Sequence, residues 1–344
     1  MPKPVATIKD VAREAGVSIS TVSSVVNGNK PVSEELATRV REAIERLQFH
    51  PNHMARSLHA KRTRTLAYLT PDITNVAFLR TFKAIEAAAH ARGYAVFLLG
   101  TDGSVETTRE AVEKVIGLRM DGAFLTLSWV MSHPDVRLDR LAERGIATVG
   151  VSGSYDLPGI DCFLHDEEGG GHQIGTYLQR LGHRTVLCIG PGTSRAAEKR
   201  WGGLRHAYAE MGGDGGIAMA TTAGYSAAAA YDAVQATLTQ RRDFTAVVAF
   251  NDAIATGALA ALSDNGLAIP DDLSFVSFGD GHRDFSRPQV TSITFDEERI
   301  AALAANRLID RIEGTTSAPP SHDYLPLTLS IRQSSRRLPA ELNA

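Results

Sequence analysis

Cysteine is nearly absent from this chain of 344 residues, and the two that occur, Cys162 and Cys188, are far apart. Two cysteines are too few for a disulfide framework, and their spacing matches no metal-binding motif. We therefore expect two buried thiols in strands, and the sequence predicts neither a cofactor nor a metal ion.

Long hydrophobic runs are missing as well. Hydrophobic residues make up 43% of the chain, enough for a buried core in two or three domains. No stretch approaches the roughly 20 continuous apolar residues of a membrane-spanning helix. The first seven residues, Met-Pro-Lys-Pro-Val-Ala-Thr, contain no apolar run typical of a signal peptide. We expect a globular, cytoplasmic protein without a membrane partner.

Residues 7–28 contain two short helical patterns separated by a glycine turn. Thr7 and Ser18 are positioned to cap the two helices, and Gly16 permits the sharp turn between them. The inward positions at helical spacing are Val11, Ala15, Val22, Val25 and Val26. The outer face of the second helix carries Ile19, Ser20, Thr21, Ser23 and Ser24. The pattern predicts a helix-turn-helix that binds DNA, with an ordinary helical hairpin as the alternative.

Charge is distributed unevenly along the chain. Residues 1–64 hold 11 Lys and Arg against 6 Asp and Glu, a net charge of +5, whereas the remaining 280 residues have a net charge of −8. A basic N-terminal region followed by an acidic larger region is typical of a DNA-binding domain attached to a core that does not bind DNA.

After a third predicted helix, which begins after Ser33 and extends to Leu47, the chain changes character. From Thr63 onward, short apolar runs alternate with longer amphipathic segments, the pattern of βαβ units. The expected strands are 66–69, 94–99, 122–127, 146–151, 185–189, 217–221, 246–250 and 273–278. They predict an α/β core of two doubly wound, parallel-sheet lobes, with a ligand cleft at the carboxyl ends of the strands.

Several segments together resemble the lactose-repressor (LacI/GalR) family. Besides the helix-turn-helix and residues 48–63, they are Pro71-Asp-Ile-Thr-Asn, Arg119-Met-Asp-Gly, Leu181-Gly-His-Arg, Asn251-Asp252, residues 266–274 and Ile331-Arg-Gln-Ser. The resemblance covers nearly the whole chain. It implies an all-α headpiece at 1–50, a hinge at 51–64 and a periplasmic-binding-protein-like core at 65–344. In that core, lobe 1 would span about 65–163 plus 293–320, and lobe 2 about 164–292 plus 321–335.

The resemblance also implies how DNA is bound. Ile19, Ser20 and Ser24 match the family's base-contacting positions, although Ser24 stands where the family commonly has arginine. Phosphate contacts are expected from Thr7, Ser18, Thr21, Ser23 and Asn27. In the hinge, Asn52 is expected to begin a short helix, with Ala55 facing the minor groove and Leu58 wedged between base pairs. The alternative is a linker with an exposed leucine.

The same resemblance places the effector contacts in the interlobe cleft. Arg200 matches the arginine directed at the ligand, and Phe78 and Tyr225 match stacking aromatics. Polar contacts are expected from Asn75, Asp166, Ser194 and Asn251, which also suit turns and caps. The family commonly has aspartate where this chain has Gly279, which leaves Asp280 as the candidate substitute. The change favours an effector with fewer hydroxyls, an anionic effector or a lost effector, and the sequence does not choose among them.

These features predict a repressor that binds a pseudo-palindromic operator as a homodimer, through helices near 78–92 and 252–264. A carbohydrate effector in the cleft would change its operator affinity. A periplasmic-type solute-binding protein is the alternative, but such a protein needs a signal peptide and has no use for a basic headpiece. We do not expect an enzyme, because Gly190-Pro-Gly-Thr-Ser lacks the lysine and the spacing of a P-loop.

Overall fold

The computed structural model describes residues 6–27, 30–49, 62–153, 155–192, 194–212, 216–281 and 286–339. The chain forms two compact units, the headpiece Met1–Thr63 and the core Arg64–Ala344. Among the described residues, no helix is long and apolar enough to cross a membrane.

Three helices form the described part of the headpiece: α1 (Ile8–Ala15), α2 (Ile19–Asn27) and α3 (Glu34–Leu47). Their shared core includes Val11, Ala15, Val22, Val40 and Ala43, with Val25 and Val26 partly buried against it. The predicted inward faces of α1 and α2 are therefore confirmed. Ser33 precedes α3, but its side chain makes no capping hydrogen bond. Acidic Glu34 and Glu35 lie in the first turn of α3 instead, where the helix dipole favours negative charge.

The first lobe of the core is a six-stranded parallel sheet in the order β11-β5-β4-β3-β1-β2. Its strands are β1 (Thr65–Thr70), β2 (Ala95–Gly100), β3 (Gly122–Leu127), β4 (Ala147–Gly153), β5 (Asp161–His165) and β11 (His322–Leu325). Its helices are α4 (Val76–Ala91), α5 (Val105–Gly117), α6 (Asp139–Glu143) and α11 (Glu297–Glu313). In β1, Leu66 and Tyr68 pack on the α4 and α11 side, whereas Ala67 and Leu69 pack on the α5 side. The strand is therefore buried on both faces, as a doubly wound fold requires.

The second lobe is also six-stranded, in the order β12-β10-β9-β8-β6-β7, with only β12 antiparallel to its neighbour. Its strands are β6 (Thr185–Pro191), β7 (Gly216–Thr222), β8 (Ala246–Ala249), β9 (Ser274–Phe278), β10 (Thr291–Thr294) and β12 (Thr328–Ser330). Its helices are α7 (Glu167–Arg180), α8 (Arg195–Glu210), α9 (Ala227–Gln240) and α10 (Asp252–Asp264). The predicted core of two doubly wound lobes is confirmed.

The chain crosses between the lobes three times: after β5, after β10 and after β11. All three crossings lie within a few residues of the predicted lobe boundaries, which follow residues 163, 292 and 320. The differences are small: β10 pairs with β9 and so belongs to the second lobe, although residues 293 and 294 were predicted in the first. β11 pairs with β5 in the first lobe, although residues from 321 onward were predicted in the second. Strands this short carry no periodic signal that indicates which sheet they join.

Both cysteines are fully buried in strands, Cys162 in β5 and Cys188 in β6, and neither forms a disulfide. Burial raises the pKa of the Cys188 thiol well above its ordinary value. The prediction of two buried thiols in strands is therefore confirmed. In the part of the chain that the structure describes, no group of three or more His, Cys, Asp or Glu residues is arranged to hold a metal ion.

Candidate functional site

Capping residues define both ends of α1. Thr7 and Asp10 form a capping box: the Thr7 N–H donates to Asp10 Oδ2 at 2.9 Å, and the Asp10 N–H donates back to Thr7 Oγ1 at 3.4 Å. This contact lowers the pKa of Asp10 below its ordinary value. Gly16 ends α1 in the left-handed conformation at φ +61°, where Arg39 Nη2 donates to the Ala15 carbonyl at 2.6 Å. Both ends of α1 are thus fixed, and its C-terminal turn at Gly16 leads directly into α2.

The first turn of α2 presents a small polar surface. Ser18 Oγ accepts the Thr21 N–H at 3.1 Å and lies 2.7 Å from Ser20 Oγ. Ile19 is 46% exposed, Ser18 and Ser20 are exposed, and Thr21, Ser23 and Ser24 are half-buried rather than outside as predicted. Five of the predicted DNA-contacting residues, Ile19 to Thr21 with Ser23 and Ser24, lie on this helix of about two and a half turns, and Ser18 directly precedes it. Asn27 ends that helix, and the hinge residues Asn52, Ala55 and Leu58 lie outside the described residues.

In the core, four predicted effector contacts cap helices that begin at the carboxyl ends of strands. The side-chain oxygens of Asn75, Asp166, Ser194 and Asn251 accept backbone N–H groups of α4, α7, α8 and α10 at 3.0, 2.9, 3.5 and 2.7 Å. Such caps satisfy N–H groups that the helix leaves unpaired. The alternative role as helix caps is therefore confirmed for Asn75, Asp166 and Asn251, and Ser194 caps α8 in the same way. Any contact with an effector falls to the remaining atoms of these side chains.

Arg200 has a buried partner that the sequence did not reveal. Its Nε donates to Glu167 Oε2 at 2.7 Å and its Nη2 to Oε1 at 2.9 Å, while Nη1 donates to the Phe250 carbonyl. The two side chains are only 9% and 4% exposed. The guanidinium also lies 4.5 Å from the ring centre of Phe278 and 5.8 Å from that of Phe295. Burial disfavours the cation, but Glu167 raises the pKa of Arg200 overall. Contrary to the expectation of a guanidinium directed chiefly at the ligand, most of its donors are used inside the protein.

The remaining predicted effector residues lie in different surroundings. Tyr225 is 36% exposed, and its hydroxyl hydrogen-bonds to Ser194 Oγ. Phe78 is half-buried in the first turn of α4. Asp280 Oδ1 accepts from Ser292 Oγ at 2.9 Å and from Arg332 Nη2 at 2.7 Å. This pairing with Arg332 fixes Asp280 within the second lobe and weakens it as the substitute for the aspartate missing at position 279.

A cavity of about 330 Å³ lies between the two lobes of the core. Ala77, Arg80 and Glu297 line it from the first lobe, and Asp252, Gly279 and Asp280 line it from the second. Phe295 and Arg332, from segments near the crossings, also line the cavity. Burial raises the pKa of Glu297, and nearby Asp296 and Asp252 act in the same direction against Arg80. A volume of this size suits a small ligand.

Sequence reasoning missed most of these cavity residues. Of the predicted effector set, only Asp280 is among those that line the cavity. Asp252 directly follows the predicted contact Asn251 but was not itself predicted. The same holds outside the cavity for Glu167, the partner of Arg200, which directly follows Asp166. A charged residue in the first helical turn after a strand was the signal that could have identified both.

Two further contacts join the lobes outside the cavity. Arg195 lies over the ring of Tyr155 at 5.3 Å, and Lys199 lies over the ring of Tyr324 at 5.4 Å. Both cations come from α8 of the second lobe, whereas Tyr155 follows β4 and Tyr324 lies in β11 of the first. Cation–π contacts at exposed sites contribute about 0.5–1 kcal/mol each, so these two contacts favour the lobe arrangement seen here.

A helix-turn-helix headpiece and a two-lobed core with an interlobe cavity define a ligand-responsive DNA-binding protein. The family model described as "Bacterial regulatory proteins, lacI family" matches residues 7–52, and the one described as "Periplasmic binding protein-like domain" matches residues 176–335. The HTH-type transcriptional repressor PurR of Vibrio campbellii is 30% identical over 310 residues, which cover 90% of this chain and 92% of the relative. The chain belongs to the lacI family, which confirms the resemblance drawn from its sequence.

Solved structures agree with this assignment. The lac repressor dimer bound to operator and the anti-inducer ONPF superposes with a TM-score of 0.84 at 24% identity, covering 97% of this chain and 100% of the repressor chain. The transcriptional regulator CelR in its cellobiose complex gives a TM-score of 0.69 at 26% identity, covering 96% and 100%. The chain is therefore a DNA-binding transcriptional repressor of the lacI family with a ligand-binding core.

Proposed function

We propose that two copies of this chain bind a pseudo-palindromic operator, with α2 of each headpiece in the major groove of one half-site. The observation that carries the proposal is the exposed first turn of α2, which follows the Gly16 turn and whose Thr21 N–H is capped by Ser18. Ile19, Ser20 and Ser24 would contact bases, and Thr7, Ser18, Thr21, Ser23 and Asn27 would contact phosphates. Arginine is absent from position 24, so the operator bases differ from those of arginine-bearing relatives.

The hinge would complete the DNA contact. A helix of about nine residues is too short to be stable alone in water, so it would form only when the operator and the partner chain hold it. Asn52 would begin this helix, Ala55 would face the floor of the minor groove, and Leu58 would wedge between central base pairs. The bend that the wedge produces would bring both headpieces onto their half-sites.

The proposed homodimer would form through α4 and α10 of the core. Around the start of α4, Ile73 and Val76 are each 48% exposed, and Leu79 is 38% exposed. Phe97, on the edge strand β2, is 49% exposed. Apolar side chains at this density on one lobe are typical of a surface that a second chain covers.

The proposed effector is a carbohydrate bound between the lobes. The cavity and the half-exposed Tyr225 support a ring-shaped ligand with hydroxyl groups, and CelR is named as a cellobiose complex. Contacts would come from Phe78, Tyr225, Arg200 and Asp280, and from the atoms of Asn75, Asp166, Ser194 and Asn251 that capping leaves available. The ligand would act by binding one lobe arrangement better than the other, as an inducer or as a corepressor. We propose no catalytic activity, and we propose a cytoplasmic location because operator DNA lies there.

Selection of binding sites from a random duplex library tests this function. The full-length protein should recover a roughly twofold-symmetric site, and its binding should weaken steeply with salt. Leu58→Ala should weaken binding to that site at least tenfold and leave binding to unrelated DNA unchanged. Leu303→Ala serves as the matched control, because Leu303 is a 41% exposed leucine on α11 of the core. Equal losses on specific and unrelated DNA would contradict the wedge, and recovery of no symmetric site would contradict the operator.

A further inference from the structure

The carboxylate of Asp252 is held in a socket made by two glycines at the edge of the interlobe cavity. Gly281 N–H donates to Asp252 Oδ1 at 3.0 Å. A Cβ atom at Gly279 would lie 2.7 Å from the Asp252 carboxylate, and one at Gly281 would lie 2.8 Å from Oδ2. Gly279 also has a φ of +100°, which other residues rarely adopt. Glycine at position 279 therefore leaves the volume that the Asp252 carboxylate occupies.

This socket lies on the wall of the cavity, since both Asp252 and Gly279 line it. The carboxylate is near enough to the buried groups of the site to raise the pKa values of both Glu297 and Arg200. It belongs to the first turn of α10, directly after the cap Asn251. Asp252 is thus a fixed acceptor on the second-lobe side of the cavity.

Two cations at or beside the cavity, Arg332 and Arg200, are paired with carboxylates. Arg332 Nη2 lies 2.7 Å from Asp280 Oδ1, and Glu167 binds two nitrogens of Arg200 at 2.7 and 2.9 Å. Arg80 acts on Glu297, whose pKa burial raises. Among the described lining residues, three are acidic and two are basic. An anionic group entering here would meet three carboxylates, and of the two lining cations Arg332 is already paired with Asp280, so its desolvation would be poorly compensated.

We propose that Asp252 determines effector specificity: held by the Gly279–Gly281 socket, it accepts hydrogen bonds from hydroxyl or N–H groups of an effector without negative charge at this end. The inference rests on the proposed interlobe effector site. Of the possibilities that the sequence left open, the acidic excess among the lining residues disfavours an anionic effector. The vicinal hydroxyls of a carbohydrate suit a carboxylate, which accepts through two oxygens.

Ligand-dependent thermal shift and calorimetric titration of the full-length protein test the proposal. The probes are D-ribose, D-glucose and cellobiose, together with D-ribose 5-phosphate and D-glucose 6-phosphate. A neutral sugar should bind the wild type, and each phosphate should bind more weakly than its parent sugar. Asp252→Asn should weaken binding of that sugar at least tenfold, the usual loss for a hydrogen bond to a charged group. Asp232→Asn is the matched control, since Asp232 is exposed on α9 of the same lobe.

The outcomes separate this proposal from the proposed function. If the sugar binds Asp252→Asn and the wild type equally well, the role of Asp252 is overturned while the effector site stands. If a sugar phosphate binds more tightly than its parent sugar, the proposal that the effector carries no negative charge at this end is overturned. If no probe binds the wild type, the carbohydrate site and this proposal both fail. Asp252→Ser provides a second variant if Asp252→Asn does not fold, and the same tenfold loss is expected from it.

Discussion

His165 is a buried residue at the end of strand β5, where the chain first crosses to the second lobe. It is 6% exposed, and its ring packs edge-on against Phe295 with 4.8 Å between centres. Within the described part of the chain, Nδ1 has no hydrogen-bond partner. Burial lowers the pKa of His165 from 6.5 to about 4, so the ring is neutral at physiological pH.

This residue makes the stability of the core depend on pH. The unfolded chain binds the His165 proton below about pH 6.5, whereas the folded chain binds it only near pH 4. The free energy of unfolding should therefore fall as pH drops from 6.5 to 4, by about 1.4 kcal/mol per pH unit and about 3 kcal/mol in all. Urea unfolding at pH 7 and pH 5 measures the effect.

Variants isolate the histidine responsible. His165→Leu should lose this part of the pH dependence, whereas His90→Leu, at an exposed position on α4, should keep it. Burial also lowers the pKa of His183, so some dependence of the same sign should persist in His165→Leu. An unchanged pH dependence in His165→Leu would show that the imidazole is not held neutral.

For single residues, the sequence indicated the side chains that cap helices better than the charged side chains beside them. Asn75, Asp166, Ser194 and Asn251 were named as effector contacts from the resemblance, and Asn and Asp after a strand were also expected to suit helix caps. The pairing of Arg200 with Glu167 could not be predicted, because it depends on how closely two helices approach. The role of Gly279 was likewise hidden, since sequence alone does not show that a carboxylate fills the space beside a glycine.

At the scale of elements, the contact between α7 and α8 sets the geometry of Arg200. A Cβ atom at Gly171 of α7 would lie 2.1 Å from the Arg200 carbonyl oxygen, and one at Gly203 of α8 would lie 1.9 Å from the Glu168 carbonyl oxygen. The helix backbones therefore touch directly at these glycines. Their close approach brings the buried Glu167 within hydrogen-bond distance of Arg200.

Two adjacent glycines of α8 allow a matched test. Gly203→Ala should lower the free energy of unfolding by about 3 kcal/mol, because the added methyl group meets backbone that cannot yield. Gly202→Ala should raise it by about 0.5–1 kcal/mol, since nothing lies within 4 Å of that position and alanine favours helix. Urea unfolding of both variants is the measurement. Equal effects from the two substitutions would contradict the close helix contact.

Element positions were largely predictable from the sequence. The eight expected strands all occur within two residues of their predicted bounds, because buried parallel strands are short, continuous apolar runs between amphipathic helices. Strands β10 to β12 were assigned less well. They contain only three or four residues each, and their place depends on pairing with strands far away in the sequence.

At the scale of the whole molecule, sequence charge and the connectivity of the core point to the same function. The net positive charge of residues 1–64 attracts DNA, whereas the net negative charge of the remaining residues repels it. Three crossings and the two cation–π contacts of α8 connect the lobes, so a ligand between them acts on both. A ligand that prefers one lobe arrangement changes operator affinity by that preference, typically about 1–3 kcal/mol.

The most direct test is the operator affinity of the full-length protein, measured by fluorescence anisotropy on the selected site with and without a saturating neutral sugar from the probe set. The sugar should raise or lower the operator affinity of the wild type by about 5- to 150-fold. At a sugar concentration near the Kd of the wild type, Asp252→Asn should remain largely unliganded, so its operator affinity should change far less than that of the wild type. An operator affinity that stays the same in the wild type, although the sugar binds its core, would contradict the coupling between cleft and DNA.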